Sequence, residues 1–358
     1  MPTSSTNVRR SRLLVTLVVI SLLAFAVIVV ARQASPEARS GASTTATTRP
    51  PPTTTTQPPP TAIGTYRVAT TSLTVLVAGL ASTDDQLPTT VWYPVPKAPA
   101  AQAGAGRRFP LLVFSEGFAV PVASYAALIT DWASAGFVVA GPTYPHTSPT
   151  TPTTLDRADL VHHPADLAAV IATVIDAGHE RGSVLSGIVD ANAVGVVGQS
   201  DGGDVSLALA DNSCCKVANV KAAAILSGAE YAGFGGQYFA PGASPPVPLL
   251  VVQGTNDTVN PPVCSAQLYD AASAPKYYLD LYGATHLGPY TEPSPFEPVV
   301  AKVTTEFFDA TLAGAHAALL EMATSGDVPR LAELTSAPSA PVASGTCPTA
   351  PEEHPSAP

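Results

Sequence analysis

Apolar residues along this chain recur in two rhythms. Short, nearly continuous apolar runs predict strands: TTVWYPV (89–95), PLLVFS (110–115), FVVAGP (137–142), AVGVVG (193–198), VKAAAILSG (220–228), PLLVVQG (248–254) and KYYLDLYG (276–283). Between them lie stretches with helical patterning: SYAALITDWASAG (124–136), HPADLAAVIATVIDAG (163–178), GDVSLALA (203–210), PPVCSAQLYDAA (261–272) and EPVVAKVTTEFFDATLAGAHAALLEMA (297–323). The second carries Pro164 near its start, where the missing N–H is harmless. Strands alternating with helices predict an α/β domain, a mostly parallel sheet with helices on both faces. The strands ahead of the first helix predict an antiparallel edge.

Other segments follow neither rhythm. Residues 13–31, LLVTLVVISLLAFAVIVVA, hold no charge and follow Arg9, Arg10 and Arg12. A helix of that length, at about 1.5 Å per residue, matches a bilayer core. The arginines predict that residues 1–12 stay cytoplasmic and the remainder is exported. The run exceeds the apolar core of a usual signal peptide, about 7–15 residues. That favours an uncleaved signal-anchor at the cell membrane; cleavage at Val29-Val30-Ala31, giving a secreted protein, is the alternative. Residues 32–63 are dominated by Ser, Thr, Pro and Ala and cannot bury enough apolar surface to fold, so they read as a stalk. Residues 336–358 share the bias and read as a disordered tail. The folded body is then 64–335.

A net charge of −10 supplies no basic face, so no nucleic-acid partner is expected. Export makes disulfides the expected state of Cys214, Cys215, Cys264 and Cys347. Adjacent cysteines bond each other only with strain. One of Cys214 and Cys215 is therefore expected to pair with Cys264 or Cys347, and the sequence does not choose. No CxxC spacing is present and the adjacent His162 and His163 are badly placed to share an ion, so no metal is expected.

The chemistry concentrates where AVGVVG runs into Gly198-Gln199-Ser200-Asp201-Gly202 and then a helix. Strand, tight turn and helix form the setting in which a serine is held as a nucleophile. Among the histidines, His286 in YGATHLGPY follows a strand near the end of the domain and is the expected base. The imidazole needs a carboxylate to fix its tautomer. Asp257, in LLVVQGTNDTVNPP, lies between Ser200 and His286 at a strand end; Glu230 is the fallback. The tetrahedral oxyanion needs N–H donors. Asp201, at the helix N-terminus, and Phe118, in the Glu116-Gly117-Phe118 loop after PLLVFS, are the expected pair. Glu116, His146, Glu230 and Leu287 are candidates to line the substrate pocket, and the loop 147–154 is a candidate lid.

Taken together, VWYPV, PLLVFSEGF, SAGFVVAGPTYP, VGQSDGG, LLVVQGTNDTVNPP and YGATHLGPY resemble the α/β-hydrolase superfamily. The resemblance is to its branch of dienelactone-hydrolase-like esterases, platelet-activating-factor acetylhydrolases and bacterial cutinases. It implies an α/β-hydrolase fold, a Ser200–His286–Asp257 triad, a Phe118/Asp201 oxyanion hole, no cofactor, and a small-molecule or lipid ester as substrate. An uncharged carboxylic ester suits the apolar body. A polyester hydrolase or lipase with the same triad is one alternative; a non-catalytic binding protein on the same scaffold is another. The chain departs from its relatives at Glu116, often His or Pro there, and at Asp201, usually apolar. It also has Ala229 near the position of a cutinase tryptophan. The acetylhydrolases take their acid where this chain has Ser227, which favours Asp257. A carboxylate at 201 is expected to repel anionic substrates and to hinder the oxyanion.

Overall fold

The computed structural model describes residues 62–77, 86–97, 107–240, 246–341, 343 and 345–347, all within the unit Thr56–Pro358. The expected N-terminus, signal-anchor and nearly all of the stalk lie outside the described residues. The strands are β1 (Arg67–Leu76), β2 (Gln86–Val95), β3 (Phe109–Ser115), β4 (Val138–Pro142), β5 (Val189–Gln199), β6 (Val220–Leu226), β7 (Leu249–Gly254), β8 (Lys276–Leu281) and β9 (Ala332–Thr335). They form one sheet in the order β1-β2-β4-β3-β5-β6-β7-β8-β9. Strands β4, β3, β5, β6, β7 and β8 pair parallel. Strands β1 and β2 make the expected antiparallel edge, and β9 closes the other side antiparallel to β8.

The continuous apolar runs have a physical reason. In β3, Leu111 and Val113 join one core and Leu112 and Phe114 the other, so both faces of the strand are buried. One core takes Leu167, Val170 and Ile171 of α2 (His163–His179), Val205 and Leu209 of α3 (Asp201–Asp211), and Leu268 of α4 (Pro262–Ala271). The other takes Leu128, Ile129 and Trp132 of α1 (Ala126–Ala135) and Val300, Phe307 and Phe308 of α6 (Glu297–Thr311). A four-residue helix α5 (Gly288–Thr291) precedes α6, and α7 (Ala318–Ser325) follows it. Among the described residues, Arg157–His179 is long and apolar enough to cross a membrane, but α2 packs its apolar side into the core.

Three expectations need correction. The long helix over 297–323 is two helices, because Gly314 takes a left-handed φ of +73° between them. The tail is not loose from residue 336. Tyr269 Oη donates to Ala337 O at 2.7 Å, Ala340 N to Asp270 Oδ1 at 2.7 Å, and Cys347 is bonded to Cys264 with a Cα–Cα distance of 4.8 Å. The adjacent cysteines are not split between partners: Cys214 and Cys215 bond each other. Asn212 organises the turn that allows this, accepting from Cys214 N on its side chain at 2.9 Å and from Cys215 N on its main chain at 3.1 Å.

The Cys264–Cys347 bridge closes a loop across 83 positions. A closure of that size stabilises by roughly 2–4 kcal/mol, chiefly through the unfolded chain. Cys264→Ser with Cys347→Ser is expected to lower the unfolding free energy from urea titration by about that much and to raise the m-value, because the uncrosslinked chain unfolds further; an unaltered unfolding free energy contradicts the tie.

Candidate active site

At the end of β5 the backbone turns through Ser200, whose φ of +54° and ψ of −126° lie where a residue with a side chain rarely sits. The glycines on either side are required by contact. A β-carbon on Gly198 would lie 2.0 Å from Gly202 O, and one on Gly202 2.0 Å from Ser115 O. Strand β3, the turn and α3 are thus pressed together until only backbone fits. Ser200 N donates to Leu226 O at 2.9 Å, tying the turn to β6, and Ser200 O accepts from Asp204 N at 3.1 Å, opening α3.

Asp257 is fixed on four sides. Its Oδ1 accepts from Val259 N and Asn260 N, each at 2.9 Å; its Oδ2 accepts from His286 Nδ1 at 2.8 Å and from Gln253 Nε2 at 3.3 Å. The side chain is fully buried. Its bond to Nδ1 leaves His286 Nε2 as the basic nitrogen. Glu230, the fallback acid, is exposed and makes no bond to His286. Ser227, at the end of β6, spends its hydroxyl on Tyr290 Oη at 3.0 Å.

His286 Nε2 does not bond Ser200 in this structure. It faces Gln199 Nε2 at 3.2 Å, and the same amide donates to His286 O at 3.2 Å. Tyr125 Oη donates to Gln199 Oε1 at 2.8 Å and accepts from Gly117 N at 3.3 Å. A backbone N–H can only donate, so this chain of bonds runs one way, from Gly117 through Tyr125 and Gln199 to His286. Substrate-free sites often hold such contacts open and close them around the ligand.

The loop after β3 runs beside the serine: a β-carbon on Gly117 would fall 3.2 Å from Ser200 Cβ. Its amides divide cleanly. Gly117 N donates to Tyr125, Ala119 N to Thr147 O at 2.8 Å and Val120 N to Gly117 O at 3.2 Å. Phe118 N makes no hydrogen bond to any described residue, and Asp201 N opens α3, where no intrahelical acceptor exists.

The charges around this corner are balanced in a way the sequence did not announce. Arg157 grips Asp201 bidentately, Nε to Oδ2 at 2.7 Å and Nη2 to Oδ1. The same guanidinium lies 5.6 Å from the Phe118 ring centre. Burial works to lower the Arg157 pKa, but the bonds to Asp201 and its charge prevail and raise it. Asp204, one turn on, is pushed well above the carboxylate range by burial and by Asp201, although Ala229 N donates to its Oδ1 at 2.6 Å. Burial thus favours the protonated form of Asp204, and the Arg157–Asp201 pair beside it sums to zero. Against the expected repulsion of anions by Asp201, the structure sets a cation in direct contact with its carboxylate.

Of the pocket candidates, Glu116 is 2% exposed, His146 and Leu287 half-buried and Glu230 exposed. The Glu116 carboxyl makes no well-formed hydrogen bond. Burial pushes its pKa up to about 8, while Ser148 and the main chain near Val122 and Tyr144 pull it down less. The loop 147–154 is pinned on both sides: Thr147 O to Ala119 N, and Asp156 N to His146 O at 2.7 Å. Sequence reasoning missed Arg157, Gln199 and Tyr125. Gln199 sits inside the serine motif, but the direction of its side chain is not readable there; Arg157 is a single cation in a polar loop and carries no signal.

Comparison with known proteins gives a coarser view. Residues 85–168 match the family of platelet-activating factor acetylhydrolase, isoform II. The match runs from β2 into α2 and ends before Ser200. No curated protein matches the chain. The sheet order and this match together support the α/β-hydrolase superfamily and a likeness to its acetylhydrolase-type esterases.

The raised Glu116 pKa has a stability consequence. The folded state holds a proton that the unfolded chain releases near 4.5, so this contribution is complete below pH 4.5 and fades as pH rises to about 8. Glu116→Gln removes the titration. Its urea midpoint relative to wild type should climb from pH 5 to pH 9; a constant difference contradicts a protonated Glu116.

Proposed function

We propose that this member of the α/β-hydrolase superfamily is an exported serine hydrolase, tethered through residues 13–31, that cleaves uncharged carboxylic esters. The observation that carries the reading is the Asp257–His286 bond at 2.8 Å beside a serine held at φ +54°. The Phe118 amide, which has no hydrogen-bond partner among the described residues, and the N-terminal amide of α3 support it.

His286 Nε2 exchanges the Gln199 amide for the Ser200 hydroxyl and takes its proton as Oγ attacks the ester carbonyl carbon. The carbonyl electron pair moves to oxygen, where Phe118 N–H and Asp201 N–H receive it; such donors are worth about 10²–10³-fold each in rate. The tetrahedral adduct collapses, the C–O bond to the alcohol breaks, and the alkoxide takes the proton from His286. Water, deprotonated by His286, then attacks the acyl carbon; the C–Oγ bond breaks, Ser200 Oγ takes the proton back from His286, and the acid leaves. Asp257 stabilises the imidazolium in both halves. A small-molecule or lipid ester fits the acetylhydrolase likeness, and the ion-paired corner presents no net charge to it. No step requires a cofactor.

The test is hydrolysis of a short-chain nitrophenyl ester. Ser200→Ala is expected to lose at least about 10³-fold in kcat, with binding little changed. A fluorophosphonate should modify Ser200 in the wild type. Unchanged turnover in Ser200→Ala contradicts the assignment.

A further inference from the structure

We propose that Arg157 is a positioning residue of the oxyanion hole, which neutralises Asp201 and braces Phe118 so that both amides can face a developing negative charge. This rests on the serine-hydrolase reading above. The geometry is specific. One guanidinium spans the two residues expected to donate, through the fork on the Asp201 carboxylate and the cation–π contact with the Phe118 ring at 5.6 Å.

The physical need arises from the sequence. A carboxylate immediately after the nucleophile suits the positive end of α3, but it stands close to where the oxyanion forms. Two like charges a few ångströms apart in a partly buried site repel strongly. Arg157 removes the conflict in two ways. Its bidentate grip cancels the charge, and it holds the carboxylate in one orientation. Asp204, one turn on, is biased toward its protonated form by burial and by Asp201.

The segment that delivers Arg157 continues from the 147–154 loop. It leaves β4, is fastened by Ala119 N to Thr147 O and by Asp156 N to His146 O, and enters a turn whose start is capped by Asp156 Oδ1 on Ala158 N at 2.9 Å. His163, at the head of α2, stacks on Tyr144 with ring centres 3.8 Å apart, and Tyr144 Oη bonds Ser115 Oγ at 2.9 Å at the end of β3. The segment that leads to Arg157 is thus bonded to the loop that carries Phe118, through Ala119 N and Thr147 O.

Rescue separates this role from simple bracing. With a neutral nitrophenyl ester, Arg157→Met is expected to lower kcat about a hundredfold with KM within about threefold, since the uncompensated Asp201 opposes the transition state and not the substrate. Asp201→Asn should cost several-fold at most. Arg157→Met combined with Asp201→Asn should recover at least tenfold over Arg157→Met alone. Arg157→Lys, which keeps charge but not the fork, should fall between wild type and Arg157→Met. A double variant no better than Arg157→Met assigns Arg157 a purely structural role and overturns the proposal, as does an Arg157→Met enzyme with wild-type kcat. If Arg157→Met does not fold, the Arg157→Lys series with and without Asp201→Asn carries the same comparison. A wild type that neither turns over the ester nor takes a fluorophosphonate sinks the hydrolase reading and this inference with it; an active wild type with no rescue sinks the inference alone.

Discussion

The structure turns on one backbone constraint, the left-handed conformation of Ser200 between β5 and α3. A residue with a β-carbon occupies that region at a cost of about 1–3 kcal/mol. The surrounding structure over-determines it: Ser200 N is bonded to Leu226 O, Ser200 O receives Asp204 N, and Gly198 and Gly202 let three segments touch at backbone distance. The result is a hydroxyl lifted off the end of a sheet, beside a helix N-terminus and within reach of loops from β3, β7 and β8. Every other element of the proposed site is arranged around that point.

Electrostatics decide whether such a point can serve acyl transfer. The corner holds Asp201, Asp204 and Glu116, an unpromising set beside an anionic intermediate. Burial favours the protonated forms of Asp204 and Glu116, and Arg157 sets an opposite charge against Asp201. Acidic residues that read as departures from the esterase pattern are thereby compatible with it. The hydrogen-bond chain from Gly117 through Tyr125 and Gln199 adds directionality: it ends at His286, whose Nδ1 is committed to Asp257.

What the sequence made legible was local. Apolar runs buried on both faces marked β3 and β5 to β8, because a central parallel strand must be apolar on either side. The Gly-x-Ser-x-Gly turn marked its own geometry, since close packing leaves glycine no substitute there. Asp257 and His286 were proposed from their places after strands, and the structure brings them within 2.8 Å of each other. What stayed hidden depends on distance in space. Strand β9 is four residues with a single deeply buried position, too short for a pattern. The vicinal Cys214–Cys215 bond depends on a turn organised by Asn212, and the tail from residue 336 is held by contacts to α4 that no periodicity signals. Arg157 acts 44 positions away from Asp201, and nothing in its own neighbourhood points there.

The most direct measurement is a crystal structure of the protein after reaction with a neutral phosphonate ester. The account predicts phosphorus bonded to Ser200 Oγ, with one phosphoryl oxygen about 2.7–3.1 Å from the amide nitrogens of both Phe118 and Asp201. It also predicts that His286 Nε2 turns from Gln199 toward the adduct. Phosphorus on another residue, or a phosphoryl oxygen that faces away from both amides, would contradict it.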